Sequence, residues 1–323
     1  MRRLLPALVI LLPTTLPAQE IPPYVPANPM LTSRSPLYSQ PTISTDDGWQ
    51  VRVLMDYSNA IETDLVINPC GGGLCVNRYL LDAELLDLGF WVTRNLSPQA
   101  FVLANLSVRG GYDGVFDGFL DWFHDATGTA VTARGTRPSN TFDFVVKLPG
   151  DFVVSDRPGT FLGDVRLGGG YRLGKVQLLA TVTLPTTTTN EDGWGREVMS
   201  GSLHATANLV RSDRIMLDAG LAVGATPTTG PLSQYQHSTF VGGMAAARWR
   251  FSGRQAVFAT VWSQSPNWRN TGFDGLDRAE LTIDFGGQFR FGRNWPEIQL
   301  GLTEDLSPSG PAIDVGAKIG VKW

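Results

Sequence analysis

The stretch Ile313-Asp314-Val315-Gly316-Ala317-Lys318-Ile319-Gly320-Val321-Lys322-Trp323 alternates without a fault. Ile313, Val315, Ala317, Ile319, Val321 and Trp323 share one parity; Asp314, Gly316, Lys318, Gly320 and Lys322 share the other. Side chains point alternately to the two faces of a strand, so this stretch predicts a strand with one wholly apolar face and one polar or bare face. In isolation, the edge strand of a soluble sandwich would read the same way. What separates the two readings is whether the pattern recurs.

It occurs twelve times in all. Strand-like runs fall at 49–58, 78–93, 100–109, 161–173, 175–184, 200–210, 214–224, 238–251, 255–263, 279–291, 297–303 and 313–323. In the run 175–184, for example, Val176, Leu178, Ala180, Val182 and Leu184 share a face. The upper half of 78–93 is out of phase, which predicts a bulge or a projection beyond the regular sheet. None of the twelve apolar faces contains a charge, whereas the exposed face of a soluble sandwich would carry Lys and Glu. The opposite faces carry Arg52, Asp56, Asp87, Arg109, Asp164, Arg166, Arg172, His204, Asp218, Arg248, Arg250, Glu280, Asp284, Arg290 and Lys318. A charge on a lipid face costs up to a few kcal/mol at mid-membrane, while a watery lumen tolerates it. These charged residues are therefore candidates for lining a pore.

Loop lengths give an independent check. After even-numbered runs the connections are short: 94–98, Gly174, 212–213, 252–254 and 292–296. After odd-numbered runs they are longer: 59–77, 110–160, 185–199, 225–237, 264–278 and 304–312. Short periplasmic turns alternating with long external loops are the arrangement of outer-membrane barrels, and an even count returns the C-terminus to the periplasmic side. The fold expected is all-β: a transmembrane antiparallel up-and-down barrel of about twelve strands over 49–323. An apolar closing strand ending on Trp323 resembles the last strand of such barrels. That implies the barrel-assembly machinery as a partner, with outer-membrane lipid and lipopolysaccharide around the wall.

Composition agrees. Arg2 and Arg3 followed by the apolar Leu4–Leu16 and by Leu16-Pro17-Ala18 read as a secretory signal over 1–18, and hence as export to the outer membrane. Without those two arginines, 24 Lys and Arg face 30 Asp and Glu, a mildly acidic balance that does not suggest nucleic-acid binding. Beyond the signal there is no apolar run long enough for a membrane helix. The 36 glycines and 9 tryptophans suit a curved wall with aromatic interfaces. Residues 19–48, rich in Pro, Ser and Thr, read as an irregular segment, periplasmic or inserted in the lumen. Cys70 and Cys75 flank Gly71-Gly72-Gly73-Leu74; export favours a loop-closing disulfide over a redox pair or a metal site.

The longest loop holds the most unusual motif. Asp113, Asp117, Asp121 and Asp125 recur every four residues beside Phe116, Leu120 and Phe123. On a helix these form an acidic and an apolar stripe. One reading is a loop helix that constricts the pore; the other is a packed external helix with solvated acids. Calcium is a weaker idea, because the alternating acids of an EF-hand loop are missing.

Gly114–Asp125 resembles the "FLDGFIDGFHD" stretch of an uncharacterised bacterial family known as domain of unknown function 3187. Ser35-Pro36-Leu37-Tyr38 resembles its "NPLY", with Ser for Asn. Leu162–Leu167 resembles its "LGDVRL", and Leu184-Pro185-Thr186 its "LPTG", with Thr187 at the Gly position. The resemblance spans most of the mature chain. It implies an outer-membrane-like fold and no established activity, cofactor or catalytic residue.

Three functions remain open on sequence. The first is a channel for small solutes, since both signs of charge line the inner face. The second is a closed barrel with a structural or ligand-binding surface role. The third is a membrane-embedded hydrolase, for which Ser202 and His204 share a face. No G-x-S-x-G elbow accompanies that pair, a lipase site belongs at the lipid edge, and no cofactor is implied. A pore-lining polar pair is therefore the favoured reading of Ser202 and His204, and no catalytic residue is assigned.

Overall fold

The computed structural model describes residues 20–45, 48–70, 73–114, 118, 122, 138, 140–149, 151–230, 232–292, 295–307, 310–311 and 313–323. The expected signal segment 1–18 lies outside the described residues, as do the side chains of Cys70 and Cys75. Backbone register there pairs Cys75 with Asn68 and Cys70 with Gly73.

Fifteen strands form among the described residues. They are β1 (Trp49–Cys70), β2 (Gly73–Asn95), β3 (Ala100–Tyr112), β4 (Asp143–Leu148), β5 (Asp151–Ser155), β6 (Gly159–Leu162), β7 (Val165–Leu173) and β8 (Val176–Leu184). The series continues with β9 (Ser200–Arg211), β10 (Ile215–Ala225), β11 (Thr239–Arg250), β12 (Gln255–Gln264), β13 (Glu280–Phe289), β14 (Glu297–Asp305) and β15 (Val315–Lys322). Twelve of them close a ring. β1 pairs with β2, β2 with β3, β3 with β7, then each strand with its successor to β15, which pairs back with β1. The closing register runs from Arg52–Lys322 to Asn59–Val315, all antiparallel. Closure leaves the twelve-stranded wall without an open edge.

Parity follows the sequence. Lys318 is buried in the lumen while Ile319 is 44% exposed on the outer face. Ala180 is exposed and Thr181 buried. At the short-turn end the outer face carries Trp49, Trp249, Phe251, Phe291, Trp295 and Trp323, all exposed, an aromatic girdle where the wall meets a membrane interface. Tight turns there need unusual backbone: Gly174, between β7 and β8, has φ +61°, a region where a side chain is strained.

Three features depart from the expected layout. Residues 59–77 are largely strand, because β1 and β2 continue to Cys70 and Gly73 as a hairpin well beyond the ring. A span of about 10 residues crosses the membrane, so strands of 22 and 23 residues overshoot it. Within 110–160, β4 pairs with the upper part of β2 and β5 with β4, while β6 pairs with β3. None of these three is in the ring. Finally, Ile313 does not join the lipid face. It is buried in an apolar cluster at the long-loop end, and β15 starts at Val315.

That cluster is a core above the barrel. Tyr79, Leu81, Ala83 and Leu85 of β2 meet Phe144, Val146 and Leu148 of β4, with Trp194, Trp268, Phe273 and Leu276 from the loops. Trp194 is its hub. Its ring lies 6.0 Å from Phe142, 5.9 Å from Phe144 and 6.3 Å from Phe161, and its indole N–H donates to Ser155 Oγ at 2.8 Å.

Candidate functional site

The lumen is occupied by the chain's own N-terminal segment. Nearly every residue from 20 to 44 is buried. The segment enters at the short-turn end, where Ile21 packs on Met216, Ala246 and Phe258. It climbs past Tyr24 to the four-residue helix α1 (Pro29–Thr32), capped by Asn28, whose side-chain oxygen accepts from Met30 N. It then returns past Tyr38 to Ser44 before joining β1. Ser39 N donates to Tyr24 O at 2.9 Å, so the two limbs form a loose hairpin. Among the described residues, this hairpin makes no backbone–backbone hydrogen bond to the wall.

Side chains hold it instead. At the short-turn end Glu20 meets Lys322 Nζ at 2.8 Å and Arg52 at 3.4 Å, and also accepts from Ser44 N. One carboxylate thus ties both ends of the hairpin to β1 and β15. Arg172 donates to Ser44 O at 2.9 Å, Asp218 accepts from Thr42 N at 2.7 Å, and Gln177 accepts from Ile43 N at 2.9 Å.

Midway, Lys318 sits between Asp284 (2.9 Å) and Asp56 (3.3 Å), with the Tyr24 ring 4.5 Å from its ammonium. The Tyr24 hydroxyl donates to Glu280 at 2.8 Å, and Glu280 also accepts from Trp262 and Gln264. At the long-loop end, Arg196 donates to the carbonyls of Arg34 and Ser35, and Arg34 donates to Pro227 O at 2.8 Å. Trp268 and Asn267 donate to Met30 O and Leu31 O. Burial pushes the Arg196 guanidinium down to about 9, with Asp164 opposing and Arg166, Arg34 and Arg109 adding to the fall. Burial likewise lowers Arg34 to about 10 against the pull of Glu197. Both stay cationic at neutral pH.

The structure places all fifteen candidate pore-lining residues on the inner side or at its rim. Most of the charged ones are paired. Arg109 meets Asp87 at 3.4 Å, Arg196 meets Asp164 at 3.6 Å, and Arg290 meets Glu297 at 3.7 Å. Arg248 donates to Gln288 at 2.8 Å. Arg250 is half-buried at the short-turn end of β11.

His204 Nε2 lies 2.8 Å from Ser202 Oγ, which in turn is 2.6 Å from Thr181 Oγ1, and the imidazole packs at a tilt against the Tyr38 ring, with centroids 4.6 Å apart. Among the described residues, the contacts of the His204 ring are Ser202 and Tyr38, the polar-pair arrangement.

The acidic motif fares differently. Asp113 is exposed at the long-loop end and pairs with Arg157 at 2.6 Å, away from the lumen. Asp117, Asp121 and Asp125 lie outside the described residues.

Sequence reasoning missed Glu20, Tyr24 and Tyr38 as lumen residues. The available hint was a stretch with buried-type residues (Ile21, Tyr24, Leu37, Tyr38, Ile43) but no strand or helix period. It also missed a meeting of two stretches. Tyr38 of Ser35–Tyr38 lies under the guanidinium of Arg166, in Leu162–Leu167, at 4.2 Å. A β-bulge aims that region: β3 advances three residues from Asn105 to Val108 while the other strand spends four, from Arg166 to Leu162. Gly163 at the bulge is needed for close approach, since a Cβ there would lie 2.6 Å from Ser107 Oγ. Asp164 turns to accept from Thr186 N, Thr187 N and Arg196 N, which pins the loop after β8.

Comparison with known proteins agrees with this geometry. Residues 75–323 match the family described as protein of unknown function (DUF3187), and the chain belongs to that family. Its fold is similar to the COG4313 outer membrane channel from Pseudomonas putida F1, with a TM-score of 0.53 at 13% identity, covering 86% of this chain and 95% of that one. Two further similar structures are the CymD monoaromatic hydrocarbon channel (TM-score 0.41, 12% identity, 86% and 87% covered) and the P. putida toluene transporter TodX (0.41, 11%, 86% and 90%). No curated protein matches the chain. The fold is thus that of a closed outer-membrane β-barrel.

Proposed function

Taking the chain as a DUF3187 barrel with a filled lumen, we propose that it is an outer-membrane channel for small solutes, shut at rest by its own N-terminal hairpin, residues 20–44. One observation carries this reading. The hairpin fills the lumen through side-chain contacts alone, while the wall's hydrogen-bond ladder closes without it. Withdrawing it would leave the sheet intact and expose a surface rich in Arg, Asp, Glu, Thr and Gln, which water can solvate. A wall meant only to be filled would be expected to present apolar side chains, as the region above the barrel does.

A second reading, a permanently closed barrel, is favoured by the buried ionic anchor of Glu20 to Lys322 and Arg52. Conductance separates the two. With Cys70 and Cys75 replaced by Ser, Ser35→Cys and Gln264→Cys joined by a short bifunctional thiol cross-linker would tie the hairpin to β12, where Ser35 Oγ reaches the Gln264 amide at 2.7 Å. In planar bilayers the untreated protein is expected to open and the cross-linked protein to stay shut. Silence from the untreated protein, and from a variant lacking 20–44, would establish the closed barrel.

A further inference from the structure

We propose that the cavity between the hairpin and strands β2, β3 and β7 is a binding site for a small monovalent carboxylate, held by Arg166. The cavity has a volume of about 50 Å³, and its charged lining is Arg109, Arg166, Arg196, Asp87 and Asp164.

Two of the three cations are fully engaged. Arg109 meets Asp87 and donates to Ala27 O at 3.1 Å and Trp194 O at 3.4 Å. Arg196 meets Asp164 and donates to the carbonyls of Arg34 and Ser35. Asp164 is itself taken up by three backbone N–H groups. Arg166 is the exception. It is 6% exposed, its flat face rests on Tyr38, and its Nε has no acceptor. No hydrogen bond or ion pair engages its guanidinium among the described residues. A guanidinium offers five donors in a planar fork. Tyr38 and the nearby charges of Asp87 and Asp164 offset part of its burial, but its donors have no acceptor among the described residues, which is costly, so the site is built for an acceptor it does not itself contain.

Charge, size and shape select the ligand. Three cations face two carboxylates, an excess of one positive charge, which a monoanion neutralises and a dianion overshoots. One water needs about 10–15 Å³ of such volume, so the cavity holds roughly four heavy atoms. That is the size of acetate. A carboxylate also matches the guanidinium fork with two parallel hydrogen bonds. Leu37 and Trp91 on the lining can take a short apolar tail.

The site stands on the hairpin-to-wall geometry and does not require conduction. The test is isothermal titration of the full detergent-folded chain with sodium acetate at fixed ionic strength, with chloride and sulfate as comparators. Saturable one-to-one binding of acetate is expected, with sulfate weaker. Arg166→Gln should lose at least tenfold in affinity, and Arg214→Gln, exposed in the turn between β9 and β10 and remote from the cavity, should lose nothing. Heat-modifiable gel mobility confirms that each variant is folded. Should Arg166→Gln misfold, Arg166→Lys decides, because it keeps the charge and loses the fork: several-fold weaker binding supports the site, and equal binding overturns it. No saturable acetate binding would show that water alone fills the cavity, and sulfate binding tighter than acetate would overturn the monovalent assignment. Failure of acetate to bind would leave the channel proposal untouched, just as absence of conductance would leave the anion site standing.

Discussion

The barrel wall and the cap above it are built from the same strands with opposite interiors. On β2 the inward parity reads Asp87, Gly89, Trp91 and Thr93 within the ring, then Leu85, Ala83, Leu81 and Tyr79 above it. Nothing in the backbone changes between the two, since β1 and β2 stay in register along their whole length. The solvent outside changes. In the membrane the outer face meets hydrocarbon and must be apolar, which leaves the inside for polar groups. Above the membrane the outside meets water, so burial of apolar surface again drives packing inward. The polar interior consequently depends on a separate segment to satisfy it, whereas the cap packs against itself.

The sharpest way to break this comparison is to remove one charge from the filled lumen. Lys318→Met leaves Asp56 and Asp284 facing each other without their shared cation. Removing one partner of a buried ion set costs about 3–5 kcal/mol. Denaturant unfolding in detergent, followed by tryptophan emission, should show that loss. A variant as stable as the parent would mean that the lumen is solvated and not packed.

Trp194→Ala is the matching change in the cap. Truncating a buried tryptophan costs roughly 3–5 kcal/mol, but here the loss should stay local. Limited proteolysis is expected to cut the loops 185–199 and 140–160 while the ring keeps its heat-modifiable mobility. If the barrel unfolds with the cap, the two regions are one cooperative unit.

Next in size is the lipid face. Ala180→Arg should destabilise the barrel by about 2–4 kcal/mol, because its charge meets hydrocarbon at mid-strand. Thr181→Arg, one residue along, points at the hairpin instead. It is expected to cost less stability and to raise conductance by crowding the hairpin out. Equal thermodynamic effects with no conductance would contradict the parity assignment.

The smallest effect should come from Leu65→Lys. Leu65 lies on the same face of β1 as Val51 and Val53 and is 59% exposed. It sits sixteen residues above Trp49, past the roughly 10 residues that span hydrocarbon. In water such a change is worth under about 0.5 kcal/mol. A cost near that of Ala180→Arg would place the hairpin in the membrane.

The sequence by itself determined the number of strands in the ring, the ring's order, which face of each of its strands meets lipid, and which charges turn inward. Each of these is a local matter: hydrocarbon imposes its demand on every second residue, and short turns force neighbours to pair. Lys318 inward and Ile319 outward could be read from eleven consecutive residues. What covers those inward charges was a different kind of question. Tyr24 reaches Glu280 across 256 residues of chain, and Glu20 joins Lys322 across nearly its whole length. Such pairings have no period, because the hairpin of 20–44 has no regular secondary structure to impose one. The cap core was hidden for the same reason, since Trp194, Trp268 and Phe273 sit in connections whose sequence carries no alternation. Only the tertiary structure decided that the lumen is filled, and that Arg166, alone among the arginines of its cavity, has no hydrogen-bond acceptor among the described residues.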